Sequence, residues 1–123
     1  MSHRVLIVDD EPNIVTSLEF LMRRAGHDTA IATDGDQALT AVATFHPHLV
    51  LLDVMLPHRD GFQVCQQLRA DGWTDLKIVM LTAKGREAEV AKGLAVGADA
   101  YVTKPFSTRE LVDQVAALLA GDA

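Results

Sequence analysis

The sequence predicts a doubly wound α/β sandwich, and three observations carry that prediction. Short apolar runs, several of them β-branched, recur at residues 5–8, 28–32, 49–52, 78–81 and 100–103. Stretches of helical periodicity separate and follow them, at 12–25, 36–45, 62–70, 87–96 and 107–120. The first, third and fourth apolar runs lack in–out alternation, which marks strands of a parallel sheet covered on both faces. Strands alternating with helices build such a sheet through crossover connections.

Each element has its own signals. Val5-Leu6-Ile7-Val8 forms the first strand. Pro12 follows near the first turn of a helix, where its missing N–H is not needed, and Gly26 stops that helix. The run at 28–32 is a weaker second strand, and the next helix carries an apolar stripe of Ala38, Leu39, Val42 and Ala43. Leu49-Val50-Leu51-Leu52 is the third strand, and Val64, Cys65 and Leu68 line one face of the helix after it. The helix at 87–96 is short, rich in Ala and Gly, and closed by Gly97. Ser107-Thr108-Arg109-Glu110 has the pattern of a capping box ahead of Leu111, Val115, Leu118 and Leu119.

Size and charge narrow the function. At 123 residues the chain is expected to be one domain, 1–123. A net charge of −6 argues against nucleic acid as a direct partner, since phosphate backbones want a basic face. No apolar stretch approaches the roughly 18 residues of a membrane span, so no membrane partner is expected. Met1-Ser2-His3-Arg4 runs straight into the first strand and does not resemble a signal peptide. A single cysteine, Cys65, excludes an internal disulfide and fits the reducing cytoplasm.

The carboxyl ends of the strands hold the chemistry. The third strand ends on Asp53, where an unpartnered buried charge would cost several kcal/mol. The first ends in Asp9-Asp10-Glu11, the fourth in Thr82-Ala83, and the fifth in Lys104-Pro105. Doubly wound folds bind ligands along that edge. Two carboxylates about 4 Å apart repel by roughly 4 kcal/mol at an effective dielectric near 20. Asp9, Asp10 and Asp53 therefore need a cation or shifted pKa values to sit together. Oxygen ligands without His or Cys suit Mg²⁺, which likes to share a phosphate. Lys104 adds a fixed positive charge and Thr82 a hydroxyl donor. Such parts support transfer of a phosphoryl group onto a carboxylate.

Val8-Asp9-Asp10-Glu11, Leu52-Asp53-Val54-Met55-Leu56-Pro57 with Asp60-Gly61, Leu81-Thr82-Ala83, and Tyr101-Val102-Thr103-Lys104-Pro105-Phe106 together resemble the receiver domain of bacterial two-component response regulators. The motifs cover essentially the whole chain, in the family's order and spacing. The resemblance implies a flavodoxin-like, five-stranded parallel sheet of order 2-1-3-4-5 with five helices. It implies that Asp53 accepts a phosphoryl group from a sensor histidine kinase or phosphotransfer protein. Mg²⁺ would be held by Asp9, Asp10, Asp53 and the backbone carbonyl of Met55. Thr82 would bond a phosphoryl oxygen, and Lys104 would pair with Asp53 at rest and with phosphate afterwards. The Lys104–Pro105 peptide is expected to be cis. Thr82 and Tyr101 form the family's switch pair, reporting to a downstream effector protein or domain through 87–96, 100–103 and 107–120. Kinase docking would use Ile14 and Ser17 on the first helix with Pro105 and Phe106. Such a domain is a signalling phosphoacceptor, catalysing only its own phosphorylation and dephosphorylation.

Other residues invite plainer readings. Glu11 is expected to be a helix N-terminal charge favoured by the dipole. His3, His27, His46, His48 and His58 fall on predicted termini and loops without metal-ligand spacing. Cys65 reads as core packing, and Trp73 as either a cap on the core edge or an exposed contact patch. Gly97-Ala98-Asp99-Ala100-Tyr101 and Gln114 depart from the charge pairs through which winged-helix relatives dimerise, which argues against that dimer. A chain closing just after its last helix is expected to be a stand-alone or excised receiver, the alternative being the regulatory half of a longer regulator. A Mg²⁺-dependent aspartyl phosphatase is disfavoured. Its Asp-x-Asp motif follows the first strand, whereas here the acid follows the third and Met55 stands at the second position. A receiver-like fold without phosphate chemistry would not need the full set of Asp9, Asp10, Asp53, Thr82 and Lys104.

Overall fold

The structure, a computed structural model, describes residues 3–83 and 88–121. In chain order it runs β1 (Arg4–Val8), α1 (Pro12–Arg24), β2 (Asp28–Ala32), α2 (Gly35–Phe45), β3 (Leu49–Asp53), α3 (Gly61–Ala70), β4 (Lys77–Ala83), α4 (Ala88–Ala95), β5 (Ala100–Lys104) and α5 (Thr108–Leu119). All strand pairs are parallel, in the order β2-β1-β3-β4-β5, as expected.

The sheet separates two cores because successive strand residues point to opposite faces. Leu6, Val8, Val50, Leu52, Ile78 and Met80 face α2 and α3, packing on Ala38, Val42, Val64, Cys65 and Leu68. Val5, Ile7, Leu49, Leu51, Val79 and Leu81 face α1 and α5, against Leu18, Met22, Leu111, Val115 and Leu118. Every residue of β3 is buried, which explains why its sequence shows no alternation.

The structure moves several boundaries outward. β4 runs to Ala83, well past the apolar run, because its last residues pair with Thr103 and Lys104 of β5. Polar Thr82 hid that extension from a hydrophobicity reading. Glu87, expected at the start of the fourth helix, lies outside the described residues. The expected capping box at α5 forms only its forward bond among the described residues, from the Glu110 N–H to Ser107 Oγ at 3.4 Å. A complete box closes α3 instead, where Asp60 and Gln63 exchange bonds of 2.8 and 2.9 Å. There Asp60 ends an irregular loop, and its short carboxylate reaches forward to the orphan N–H of Gln63 while the Gln63 side chain turns back to the Asp60 N–H.

Two glycines fix that loop. A Cβ on Gly61 would run into the carbonyl oxygen of Asp53, while its N–H donates to Val54 O at 2.9 Å. A Cβ on Gly35 would stand 2.5 Å from Arg59 Cβ and 2.6 Å from Arg59 O. The β3–α3 loop is thus gripped by backbone contact from both sides. Arg59 Nε adds a bond to Asp36 Oδ1 at 2.7 Å.

Candidate functional site

Parallel strands deliver their last residues to one edge, and here four of them deliver polar groups. Asp9 follows β1 with no exposed surface. Its Oδ1 accepts the Glu11 N–H at 2.9 Å, and its Oδ2 accepts from Lys104 Nζ at 2.9 Å. Asp53, also buried, ends β3; Met55 N–H donates to its Oδ1 at 3.2 Å. Its Oδ2 stands 3.3 Å from Lys104 Nζ. Asp10 is exposed at the rim. One carboxylate oxygen from each of Asp9, Asp10 and Asp53 lies within 4.8 Å of the others. Lys104 sits on the cis peptide preceding Pro105, and its ammonium also reaches Glu11 Oε1 at 3.4 Å.

The electrostatics follow from this crowding. Burial pushes the Asp53 carboxyl up to about 6, and the Asp9 charge adds to the rise. Lys104 and the Met55 N–H pull the other way without cancelling it. Burial alone would lower Lys104, but its bonds to Asp9 and Asp53 and their charges leave it raised, so it stays charged. Among the described residues, Asp9, Asp10, Asp53 and Glu11 set against Lys104 leave this group three negative charges in excess when fully ionised. Hard carboxylate oxygens with surplus negative charge and no nitrogen or sulfur donor fit a hard divalent cation such as Mg²⁺.

The remaining expected residues fall around this centre. Thr82 is buried in β4, one residue beyond Leu81, the partner of Asp53. Tyr101 on β5 is 44% exposed. Ile14 and Phe106 are half-buried against the α1/α5 core, whereas Ser17 and Pro105 are exposed. Met55 is exposed and turns its N–H toward Asp53.

Four plainer readings are settled or corrected. Glu11 occupies the N-cap position of α1 without a side-chain cap bond; its carboxylate goes to Lys104 instead. Nothing local marks that contact, since the partners are 93 residues apart. The histidines are not all scattered. His3 lies 5.1 Å from His48 and 6.1 Å from His27, ring centre to ring centre, because each precedes a neighbouring strand at the opposite edge. Trp73 is half-buried on the core beside His46, which makes it an edge cap. Cys65 is buried core, as expected.

With the fold and site in view, comparison with known proteins is direct. The chain belongs to the response regulator receiver domain family, whose sequence profile matches residues 5–116. It is 51% identical over 119 residues to the DNA-binding response regulator MtrA of Mycolicibacterium smegmatis, covering 97% of this chain and 51% of that protein. It is 48% identical over 119 residues to the alkaline phosphatase synthesis transcriptional regulatory protein PhoP of Bacillus subtilis, covering 97% and 49%. Among solved structures, a response regulator from Chloroflexus aurantiacus superposes with a TM-score of 0.93 at 37% identity, covering 98% of this chain and 99% of that one. The chain spans about half the length of the two regulators it matches. Among the described residues, no helix is long and apolar enough to cross a membrane.

Proposed function

We propose that this receiver domain accepts a phosphoryl group on Asp53 from the phosphohistidine of a sensor kinase or phosphotransfer protein. An Asp53 carboxylate oxygen attacks phosphorus, the phosphorus–nitrogen bond breaks, and the imidazole leaves with its electron pair to take up a proton. The observation that carries this reading is the convergence of Asp9, Asp10 and Asp53 oxygens within 4.8 Å beside the Lys104 ammonium. Asp9, Asp10, Asp53 and the Met55 carbonyl would hold Mg²⁺, which supplies charge neutralisation for the incoming phosphoryl oxygens.

The chain's own groups do the rest. Lys104 faces the oxygen of Asp53 that it would share with the phosphoryl group. Thr82 stands on the adjacent strand with a hydroxyl to donate to a phosphoryl oxygen. Phosphorylation adds charge and acceptor oxygens, and it biases a switch only through contacts made better in one state. Thr82 and Tyr101 are the residues we assign to that switch, with α4, β5 and α5 as the surface an effector reads. Ile14, Ser17, Pro105 and Phe106 are assigned to kinase docking, and the cytoplasm is the compartment this chemistry fits. Similarity to regulators of twice the length favours a second reading, in which the domain governs an attached DNA-binding output.

The test is intact-mass analysis after incubation with a small phosphodonor and Mg²⁺. One added phosphoryl group is expected on the wild type and none on Asp53→Asn. Equal labelling of both would reject Asp53 as the acceptor.

A further inference from the structure

Among the described residues Lys104 has three carboxylate partners: Asp9 at 2.9 Å, Asp53 at 3.3 Å and Glu11 at 3.4 Å. The first two belong to the group of oxygens that suits a divalent cation; Glu11 does not. A doubly charged ion among Asp9, Asp10 and Asp53 would repel the ammonium and compete for the oxygens it holds. An ammonium has three donors, and desolvating it without acceptors is costly. Glu11 is 62% exposed at the rim, is already in contact, and uses its carboxylate for no helix cap.

We infer that Glu11 is a positioning residue that takes over the Lys104 ammonium when a divalent cation occupies the neighbouring carboxylates. This rests on the proposed metal-dependent reading of the site and adds a residue the sequence assigned only to the helix dipole. Lys104 is passed toward the rim rather than expelled, so it remains beside Asp53.

Mg²⁺ titration by calorimetry, with no phosphodonor present, tests the idea in the wild type, Glu11→Gln and Glu11→Asp. Glu11→Gln removes contact and charge; Glu11→Asp keeps the charge on a side chain one methylene shorter. Both are expected to weaken Mg²⁺ binding about two- to fivefold, the range a partly exposed ion pair supports. In a Lys104→Met background, Glu11→Gln should lose most of its effect, since the group it holds is gone. Wild-type affinity in Glu11→Asp, or an undiminished Glu11→Gln effect without Lys104, overturns the inference and leaves only a general field of charge. A wild type that takes up no Mg²⁺ overturns the metal-dependent function as well. Normal wild-type binding with unaffected variants overturns the inference alone.

Discussion

The two edges of the sheet handle titratable groups in opposite ways. At the carboxyl edge, Asp9, Asp53 and Lys104 are buried or nearly so, and they meet as charges. At the amino edge, His3, His27 and His48 meet, in a setting that favours the neutral rings of His27 and His48. His48 Nδ1 accepts the Arg4 N–H at 2.9 Å, and the buried His27 Nδ1 has no hydrogen-bond partner among the described residues. Burial lowers the pKa of His27, with the His3 charge adding to it. For His48, burial acts first, then Arg4 and His3. One edge therefore stores electrostatic tension that a cation can relieve, while at the other burial disfavours the charged forms of His27 and His48. The proposed phosphoacceptor chemistry sits at the edge under tension.

Removing the positive charge should break this contrast most strongly. Lys104→Met leaves Asp9 and Asp53 buried without their cation and should destabilise the fold by about 3–5 kcal/mol at pH 8. Urea denaturation measures the loss, and millimolar Mg²⁺ should restore much of it, because an ion bound only to the folded state adds stability. An effect of next rank comes from removing one of the repelling acids. With a pKa near 6 against an ordinary 3.8, Asp53 binds its proton more tightly when folded. Stability is therefore lost as pH rises between those two values and stays lost above them. Asp53→Asn should gain about 1–3 kcal/mol at pH 8 without divalent ions and little at pH 3.5. Added Mg²⁺ should shrink the gain, since the wild type alone keeps all three carboxylates.

The amino edge should give the weakest response, with the opposite sign. His27 and His48 have folded pKa values below the ordinary 6.5, so their contribution is complete above that pH and falls as acid protonates the unfolded chain first. His48→Asn keeps an acceptor for the Arg4 N–H but cannot titrate. Its stability, followed by urea denaturation from pH 7.5 to 5.5, should fall less steeply than the wild type's. An unchanged slope would show that the edge is indifferent to charge.

Much of the carboxyl edge was legible in the sequence because parallel strands place their ends together whatever lies between them. Alternating elements put Asp9, Asp53, Thr82 and Lys104 on one edge, where the parallel strands of the structure also end. The strand order and the cis bond came from family resemblance, since no local pattern sets either. The Glu11–Lys104 contact and the histidine group were not legible, because each joins residues distant along the chain through side-chain reach. Histidine spacing looked meaningless along the chain, yet His27 and His48 each sit just before a strand that flanks β1. The capping-box expectation failed for a smaller reason. A four-residue motif states that a bond can form, while the surrounding chain decides whether the longer Glu110 side chain turns back.

Arg69 carries a mechanical consequence. From the end of α3, its guanidinium donates to the carbonyls of Trp73, Leu76 and Gly97 and to Asp99 Oδ2. Asp99 in turn accepts the Ile78 N–H at 2.8 Å, and its own N–H donates to Ile78 O. The approach to β5 is therefore riveted to α3 and to the start of β4, two residues before Tyr101. While those bonds persist, β5 cannot slide along β4 as a rigid rod. Any displacement of Tyr101 has to be taken up by torsion within the short span between Asp99 and Lys104, whose ammonium Asp9 and Asp53 hold, much as a string fastened at both ends can only bow between its fixings.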